Sequence, residues 1–318
     1  MSETMLTCAS HSPLMYCRTT KPPQEEEIIA AFALRAEAVR SFAPEIIFSF
    51  GPDHYTSMFQ RLAPAFVMGT KAEAVGDIGG HAGKLDVPYQ LAFDCIDAVY
   101  KAGVDVAVSH DLKIDHGSSQ ALHRVAGGIS AFPTIPILIN IFTQPLPPFR
   151  RSRLLGEAIG TFAKDRGLRA LFLGSGGLSH NPEPIFPAVG KGGDMVDDYM
   201  RSGPGLQTDR EEVWLKRQND IHIEAAGLMA DGAITAEDCC FNIELDRECL
   251  DIIARGELEI FDAWSPKDLI EEAGIGSVEL SCWIAAAAAH RAAGGGLPQI
   301  DYYDPVLQYG VAVGIAHG

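Results

Sequence analysis

Short apolar runs alternate with amphipathic stretches through the first 175 residues of the chain. Apolar runs of this length indicate buried strands, and stretches with a helical period between them indicate helices that cover a sheet. The predicted strands are Met5–Ala9, Glu45–Phe50, Val104–Ser109, Pro133–Ile141 and Arg169–Leu173, and the predicted helices are Glu25–Phe42, Tyr89–Ala102 and Ser152–Arg166. The pattern therefore predicts an α/β fold with a central, mostly parallel or mixed sheet flanked by helices.

The remaining part of the chain has a more helical pattern, and strands are expected to be scarce there. The predicted helices span residues 211–229, 247–255, 266–273 and 277–293. Residues 181–208 are rich in Gly and Pro, which is typical of a long loop or lid, although a crossover with short helices fits equally well. Because no low-complexity linker or internal repeat divides the chain, we expect one catalytic domain over residues 1–318.

Charge and cysteine content indicate which partners the protein can bind and in which cell compartment it lies. The 318 residues carry a formal net charge of -17, which opposes binding to nucleic acid phosphates. No apolar run approaches the roughly 20 residues of a membrane span, and the N-terminus lacks the pattern of a secretory signal. The seven cysteines contain no CxxC pair and are expected to be reduced thiols. We therefore expect a cytoplasmic protein without a nucleic acid or membrane partner.

Four histidines share one context, because each follows a predicted strand. They are His11, His54, His116 and His180. In an open α/β sheet, ligands bind beyond the carboxyl ends of the strands, so these histidines are expected to converge into a site. His110 also ends a strand and remains a candidate. The other histidines lack this context and are expected at the surface or in packing roles: His81, His123, His222, His290 and His317.

Other interpretations of these motifs stay open on the residues alone. Any single histidine is more often structural than catalytic. Ser175, in the segment LGSGG, is a weak candidate for a hydrolase nucleophile, because the first glycine of the GxSxG motif is missing. A histidine and carboxylate cluster would also suit a zinc hydrolase, and a non-catalytic binding protein on the same fold is a further alternative.

Five segments together carry a resemblance to a known family. CASHSPLM, FGPDHY, IDHG, LFLGSGGLSHNP and SVELSCWIAAAAA resemble the class III extradiol ring-cleavage dioxygenases over nearly the whole chain, most weakly between residues 181 and 262. The resemblance implies that His11, His54 and Glu279 bind Fe(II), that His116 donates a proton and that His180 acts as the base. Without it, Glu279 is equally explained as a favourable charge in the first turn of a helix.

The resemblance also implies the reaction and its partners. The expected activity is the opening of a catechol ring next to its two hydroxyls with O2, in a homo-oligomer. The expected substrate is a carboxyalkyl catechol such as 2,3-dihydroxyphenylpropionate; another catechol, an aminophenol or a gallate-like acid are the alternatives. The candidate cations for such a carboxylate are Arg150, Arg151 and Arg153, which equally suit a solvated helix face. Asp53 and Asp115 either orient the neighbouring histidines or form Asx turns.

Overall fold

The computed structural model describes residues 3–183, 186–188, 190–205 and 208–318. Its strands are β1 Thr4–Ala9, β2 Ile46–Pro52, β3 Phe66–Gly69, β4 Ala72–Val75, β5 Ala82–Lys84, β6 Ala107–Ser109, β7 Leu112–Ile114, β8 Thr134–Ile139, β9 Ala170–Ser175, β10 Gln299–Val306 and β11 Val311–His317. Its helices are α1 Leu14–Cys17, α2 Glu25–Phe42, α3 Tyr89–Lys101, α4 His116–Ala126, α5 Phe149–Asp165, α6 Asp194–Ser202, α7 Thr208–Ala230, α8 Ile243–Arg255, α9 Pro266–Ala273 and α10 Leu280–Ala292. Short 3-10 turns cover Leu258–Ala263, Ile275–Glu279 and Leu307–Tyr309.

Eight of the strands form one mixed sheet in the order β10-β11-β1-β9-β2-β8-β3-β6. The central pairs β1–β9, β9–β2 and β2–β8 are parallel, whereas β11 is antiparallel to β1 and β3 is antiparallel to β8. Strands β2, β8 and β9 are buried along their whole length, as expected for strands covered on both faces. The predicted α/β fold with a mixed sheet is confirmed.

Helices α5 and α10 pack closely on one face of this sheet. A Cβ atom added at Gly156 or Gly160 would overlap the carbonyl oxygens of Ala285 and Ala289, so the glycines allow the two helix backbones to approach. Helix α10 is buried from Leu280 to His290. The alanine-rich segment is therefore a core helix of this chain, and its close packing fixes the position of the residue that precedes it, Glu279.

The expectation that strands are scarce after residue 175 was wrong at the C-terminal end. Strands β10 and β11 form an antiparallel hairpin that joins the sheet beside β1. The sequence QIDYYDPV of β10 has a proline and alternating polar residues, a pattern that fits only the sheet edge where β10 lies.

Three further predictions of local structure need adjustment. The strand predicted over 104–109 is confined to Ala107–Ser109, and β3, β4, β5 and β7 were not predicted. The helix predicted from Ser277 is preceded by a 3-10 turn and begins at Leu280. In the segment 181–208, the described residues include the helix Asp194–Ser202, so the alternative with short helices applies; residues 184, 185, 189, 206 and 207 lie outside the described part.

Two predictions about chemistry and compartment can be compared with the fold. All seven cysteines are free thiols, as expected. Among the described residues, no helix is long and apolar enough to cross a membrane.

Candidate active site

His11, His54, His116, His180 and Glu279 meet beyond the carboxyl ends of the central parallel strands of the large sheet. His11, His54 and His180 lie in the loops that follow the parallel strands β1, β2 and β9. His116 is the first residue of α4, and Glu279 is the last residue of the 3-10 turn before α10. The predicted convergence beyond the strand ends is thus observed, and His11, His54, His116 and Glu279 are all nearly fully buried.

Glu279 is the centre of the cluster. Its Oε1 atom lies 3.4 Å from His54 Nε2, 3.8 Å from His11 Nε2 and 3.9 Å from His180 Nε2. The His116 ring stacks on His54 with centroids 4.4 Å apart. Ligating atoms of His11, His54 and His116 all lie within 4.8 Å of one another, a grouping that can hold a metal ion. Two overlapping sets of three ligands are therefore present, one with His116 and one with Glu279.

The protonation of His11 follows from its neighbour Ser175. The hydroxyl of Ser175 donates to the carbonyl of Gly117, so toward His11 Nδ1, 3.1 Å away, it can only accept. His11 must therefore carry its proton on Nδ1, and Nε2 presents a lone pair toward Glu279. Ser175 is fully buried and engaged on both sides, which excludes it as an exposed hydrolase nucleophile.

A carboxylate fixes His54 in the same way. Asp115 lies 3.1 Å from His54 Nδ1 and also accepts the backbone N–H groups of His54 and Gly117. It thus orients a cluster histidine and caps α4 at the same time. Asp53 instead accepts the backbone N–H groups of Thr56, Ser57 and Met58, so at this position the turn interpretation is the correct one.

His116 and His180 have different partners. His116 Nδ1 bonds to the carboxylate of Asp77, a residue that the sequence did not indicate because its loop between β4 and β5 has no periodic pattern. His180 Nδ1 donates to the carbonyl of Leu178 at 2.8 Å, which leaves His180 Nε2 as an acceptor. A Cβ atom at Gly276 would overlap the His180 ring, so this glycine allows the ring to lie beside Glu279.

The charges of the cluster suit a bound cation. Burial lowers the pKa of His11 to about 3, although Glu279 opposes this shift. Burial raises the pKa of Glu279, but His11, His54 and His180 outweigh burial and hold this pKa at about 2. Burial lowers the pKa of His54, yet Asp115 and Glu279 outweigh it and raise this pKa well above its usual value. Two buried carboxylates therefore favour positive charge between the rings, which a metal ion supplies as well as a proton does.

A cavity of about 220 Å³ opens beside the cluster. It is lined by the five residues and by the inner face of α7, from which His222, Ala225 and Met229 reach into it. The placement of His222 among surface or packing residues was incomplete, because it is 3% exposed and lies 6.4 Å, between centroids, from the His116 ring. Its Nδ1 donates to the carbonyl of Gln218 at 2.6 Å, and burial lowers its pKa to about 3.

The arginine candidates lie elsewhere. Arg153 is paired with Asp262 and with Glu157, whose Oε1 is 2.7 Å from Nη1, and Arg150 extends from α5 toward the same Asp262. None of the three arginines lines the cavity, so the expectation that they meet a substrate carboxylate was wrong. The physical reason is that α5 lies against α10 on a face of the sheet and not at the strand ends.

His110, which the sequence left as a candidate, lies outside the site, and the other remaining histidines have the surface or packing roles expected of them. His110 is exposed and bonded to Thr70 at 2.7 Å, and it does not line the cavity. His81 and His123 stack on each other, with centroids 3.4 Å apart. His290 contacts Thr4, and His317 pairs with Asp301 at 2.8 Å.

Comparisons with known proteins extend over almost the whole chain. The family model described as the catalytic LigB subunit of aromatic ring-opening dioxygenase matches residues 5–314. A protein of Mycolicibacterium gilvum named 2,3-dihydroxyphenylpropionate/2,3-dihydroxicinnamic acid 1,2-dioxygenase is 40% identical over 316 residues, 98% of this chain and 97% of that protein. A protein of the same name from Escherichia coli K12 is 38% identical over 306 residues, 96% of this chain and 95% of its own. An uncharacterized Escherichia coli K12 protein of known structure, at 12% identity and a TM-score of 0.47 over 98% of both chains, is too distant to support an argument.

Proposed function

Because the chain belongs to the LigB family of aromatic ring-opening dioxygenases and is an enzyme that opens a catechol ring with O2, we propose that it does so with Fe(II) held by His11, His54 and Glu279. His116 serves as the proton donor and His180 as the base. A 2-His-1-carboxylate set leaves three neighbouring coordination positions open, which suits a bidentate catechol together with O2. This set is preferred to the three-histidine set, because Glu279 Oε1 faces the Nε2 atoms of both His11 and His54 and supplies the negative charge that favours a cation.

The observation that carries the proposal is the convergence of two imidazole Nε2 atoms on one carboxylate. Ser175 and Asp115 hold the Nδ1 protons of His11 and His54, so both Nε2 atoms point toward Glu279 Oε1, 3.8 Å and 3.4 Å away. A metal ion bound between them takes the place of the proton that His54 carries on Nε2. Ligand histidines ordinarily donate their other ring N–H to a carboxylate or another acceptor in this manner. His11 Nε2, His54 Nε2 and Glu279 Oε1 thus face one point, where a metal ion could bind all three.

The residues around this point divide the work of proton transfer. When bound, Fe(II) would hold both catechol oxygens and O2 and pass electron density from ring to oxygen. His180 Nε2, which is a free acceptor 3.9 Å from Glu279, takes the proton of a catechol hydroxyl. His116, whose Nδ1 proton is held by Asp77, presents its other nitrogen to the cavity; when that nitrogen also carries a proton, it donates this proton for ring opening.

Two substitutions separate these roles. His54→Ala is expected to abolish iron retention after anaerobic loading and desalting. His180→Gln is expected to retain iron while turnover falls by about 10²–10⁴-fold, the usual contribution of a general base. Iron content, O2 uptake and visible absorbance of the ring-opened product are measured on each variant. Retention of one Fe per chain in the first variant, or loss of iron in the second, contradicts the assignment; activity with Zn(II) and without O2 would favour the hydrolase alternative.

The names of the relatives make 2,3-dihydroxyphenylpropionate the first substrate to test. We further propose one catalytic domain over residues 1–318, supported by a sheet in which β1 and β11 are neighbours. A cytoplasmic location is supported by seven free cysteines. A homo-oligomeric assembly stays a prediction.

A further inference from the structure

We propose that this enzyme also opens catechols whose ring substituent is uncharged and apolar, and that it does so at least as efficiently as it opens carboxyalkyl catechols. This inference rests on the proposed function, since it concerns the part of the same cavity that receives the substituent.

The cavity wall away from the histidine cluster is largely apolar. Helix α7 contributes Ala225 and Met229, four residues apart and therefore on one face of the helix. Leu14, Val311 and Ile234, which lie outside α7, add further apolar side chains to the lining. A hydrocarbon substituent is stabilised by each CH₂ group that it buries against such a surface.

No lysine or arginine lines the cavity among the residues that the structure describes. The sequence has no cation either at the positions left out between 183 and 208, which are Pro184, Ile185, Val189, Leu206 and Gln207. Arg18 does not line the cavity; it is ion-paired with Glu25 and lies over the Tyr309 ring, 5.9 Å from its centroid. A carboxylate in this cavity would therefore lose hydration without gaining a cationic partner, which is costly.

The polar groups near the apolar wall are acceptors or are already occupied. His222 uses its Nδ1 proton on Gln218, so the neutral ring presents only the Nε2 lone pair. Asp238 adds a carboxylate to the lining. A carboxylate on the substituent would meet a lone pair and a like charge here.

The neutral donors of the lining do not reverse this balance. The Tyr309 hydroxyl donates to Glu25 at 2.8 Å, and the Ser12 hydroxyl donates to the Tyr309 carbonyl at 2.6 Å. The half-buried amide of Asn181 is a neutral donor, and one neutral donor offsets little of the cost of desolvating a carboxylate. An uncharged alkyl or aryl substituent meets none of these penalties.

The test compares kcat/KM for 3-propylcatechol and 2,3-dihydroxyphenylpropionate, which have side chains of similar length and differ in charge. O2 uptake is measured on the Fe(II)-loaded enzyme, with unsubstituted catechol as a third substrate. We expect the propyl compound to be used as efficiently as the carboxylate or more so. A lower kcat/KM for the propyl compound would overturn the inference while leaving the proposed function intact. Absence of O2 uptake with all three catechols would instead overturn the proposed function and the inference with it.

Placing a cation in the cavity gives an independent check. Met229→Lys is expected to shift the ratio of kcat/KM toward the carboxylate by about tenfold, the value of one charge-assisted hydrogen bond. Ile223→Lys is the matched control, because Ile223 is on the same helix, is 51% exposed and does not line the cavity. An equal shift in the control, or no shift in Met229→Lys, contradicts the proposed position of the substituent.

Discussion

Hydrogen bonds outside the cluster determine which nitrogen of each histidine faces the cavity. His11, His54 and His180 all direct Nδ1 toward an acceptor, which is a serine oxygen, a carboxylate and a backbone carbonyl respectively. The acceptors differ in charge, and this difference matters for function. A carboxylate increases the basicity of the far nitrogen more than a hydroxyl does, so His54 is the stronger and His11 the weaker of the two proposed histidine ligands.

Removal of the Ser175 hydroxyl is expected to weaken iron binding through His11. In Ser175→Ala the Nδ1 proton of His11 loses its acceptor, and the ring can rotate or change tautomer. The affinity for Fe(II), measured anaerobically by competition with a chelator, should fall by about 10–100-fold. Ser49→Ala is the matched control, because Ser49 is a buried strand serine whose hydroxyl has no partner among the described residues. An equal loss of affinity in both variants would refute the role of the hydroxyl.

Asp77 is expected to affect turnover and not metal binding. In Asp77→Asn the His116 ring keeps its place, but a neutral amide replaces the carboxylate that bonds to its Nδ1. We expect kcat to fall about tenfold to a hundredfold, part of the usual contribution of a general acid, with KM and iron content nearly unchanged. Asp105→Asn, at an exposed position away from the cavity, should leave all three values unchanged. Loss of iron in Asp77→Asn would indicate that His116 is itself a metal ligand.

At the scale of elements, the site depends on how α10 is held. Glu279 immediately precedes this helix, and the helix has no freedom to shift, because Gly156 and Gly160 bring α5 into backbone contact with it. The position of the carboxylate is thereby linked to the packing of α5 against α10.

Gly160→Ala is expected to destabilise the protein and disturb the site together. The added methyl group would overlap the carbonyl oxygen of Ala289, and overpacking of this kind costs about 1–3 kcal/mol. Gly227→Ala on α7 is the matched control, because nothing lies within 4 Å of its added Cβ and alanine favours a helix, so the free energy of unfolding should rise by about 0.4–1 kcal/mol. Urea unfolding measures both. A neutral Gly160→Ala variant would show that the helices can separate without cost.

The elements that sequence could predict are those with a strong local pattern. The strands β1, β2 and β9 are long apolar runs, so the histidines that follow them could be grouped from the order of residues alone. Asp77 and His222 could not be found in this way. Asp77 lies in an irregular loop, and the α7 face that carries His222 becomes meaningful only when the helix lies over the cavity. The role of Glu279 depended on resemblance, because its local pattern equally describes the start of a helix.

At the scale of the whole molecule, the proposed metal ligands connect distant parts of the chain. His11 follows β1, which lies between β9 and β11, while Glu279 is 268 residues further along the sequence (279 minus 11) and belongs to the helical part. Neighbouring residues of β2 pack into two different hydrophobic clusters, Ile46 and Phe48 into one and Ile47 into the other, and neither cluster includes a proposed metal ligand. The fold is therefore expected to form without metal, and the metal is expected to add to an existing stability.

Metal binding should thus raise the unfolding temperature of the intact chain and of no variant that lacks a ligand. A ligand that binds only the folded state adds about 2.7 kcal/mol when its free concentration is about 100 times Kd. Anaerobic thermal unfolding with Fe(II) or with chelator should show this difference in the native chain, and His54→Ala should unfold at the same temperature in both conditions. Stabilisation requires that Fe(II) bind the folded state more tightly than the unfolded state. If His54→Ala were stabilised as much as the native chain, Fe(II) would therefore be binding at another site. Because the ligands lie just after β1, just after β2 and just before α10, we expect a single cooperative transition that shifts as a whole. A shift confined to one of two transitions would mean that these elements unfold separately.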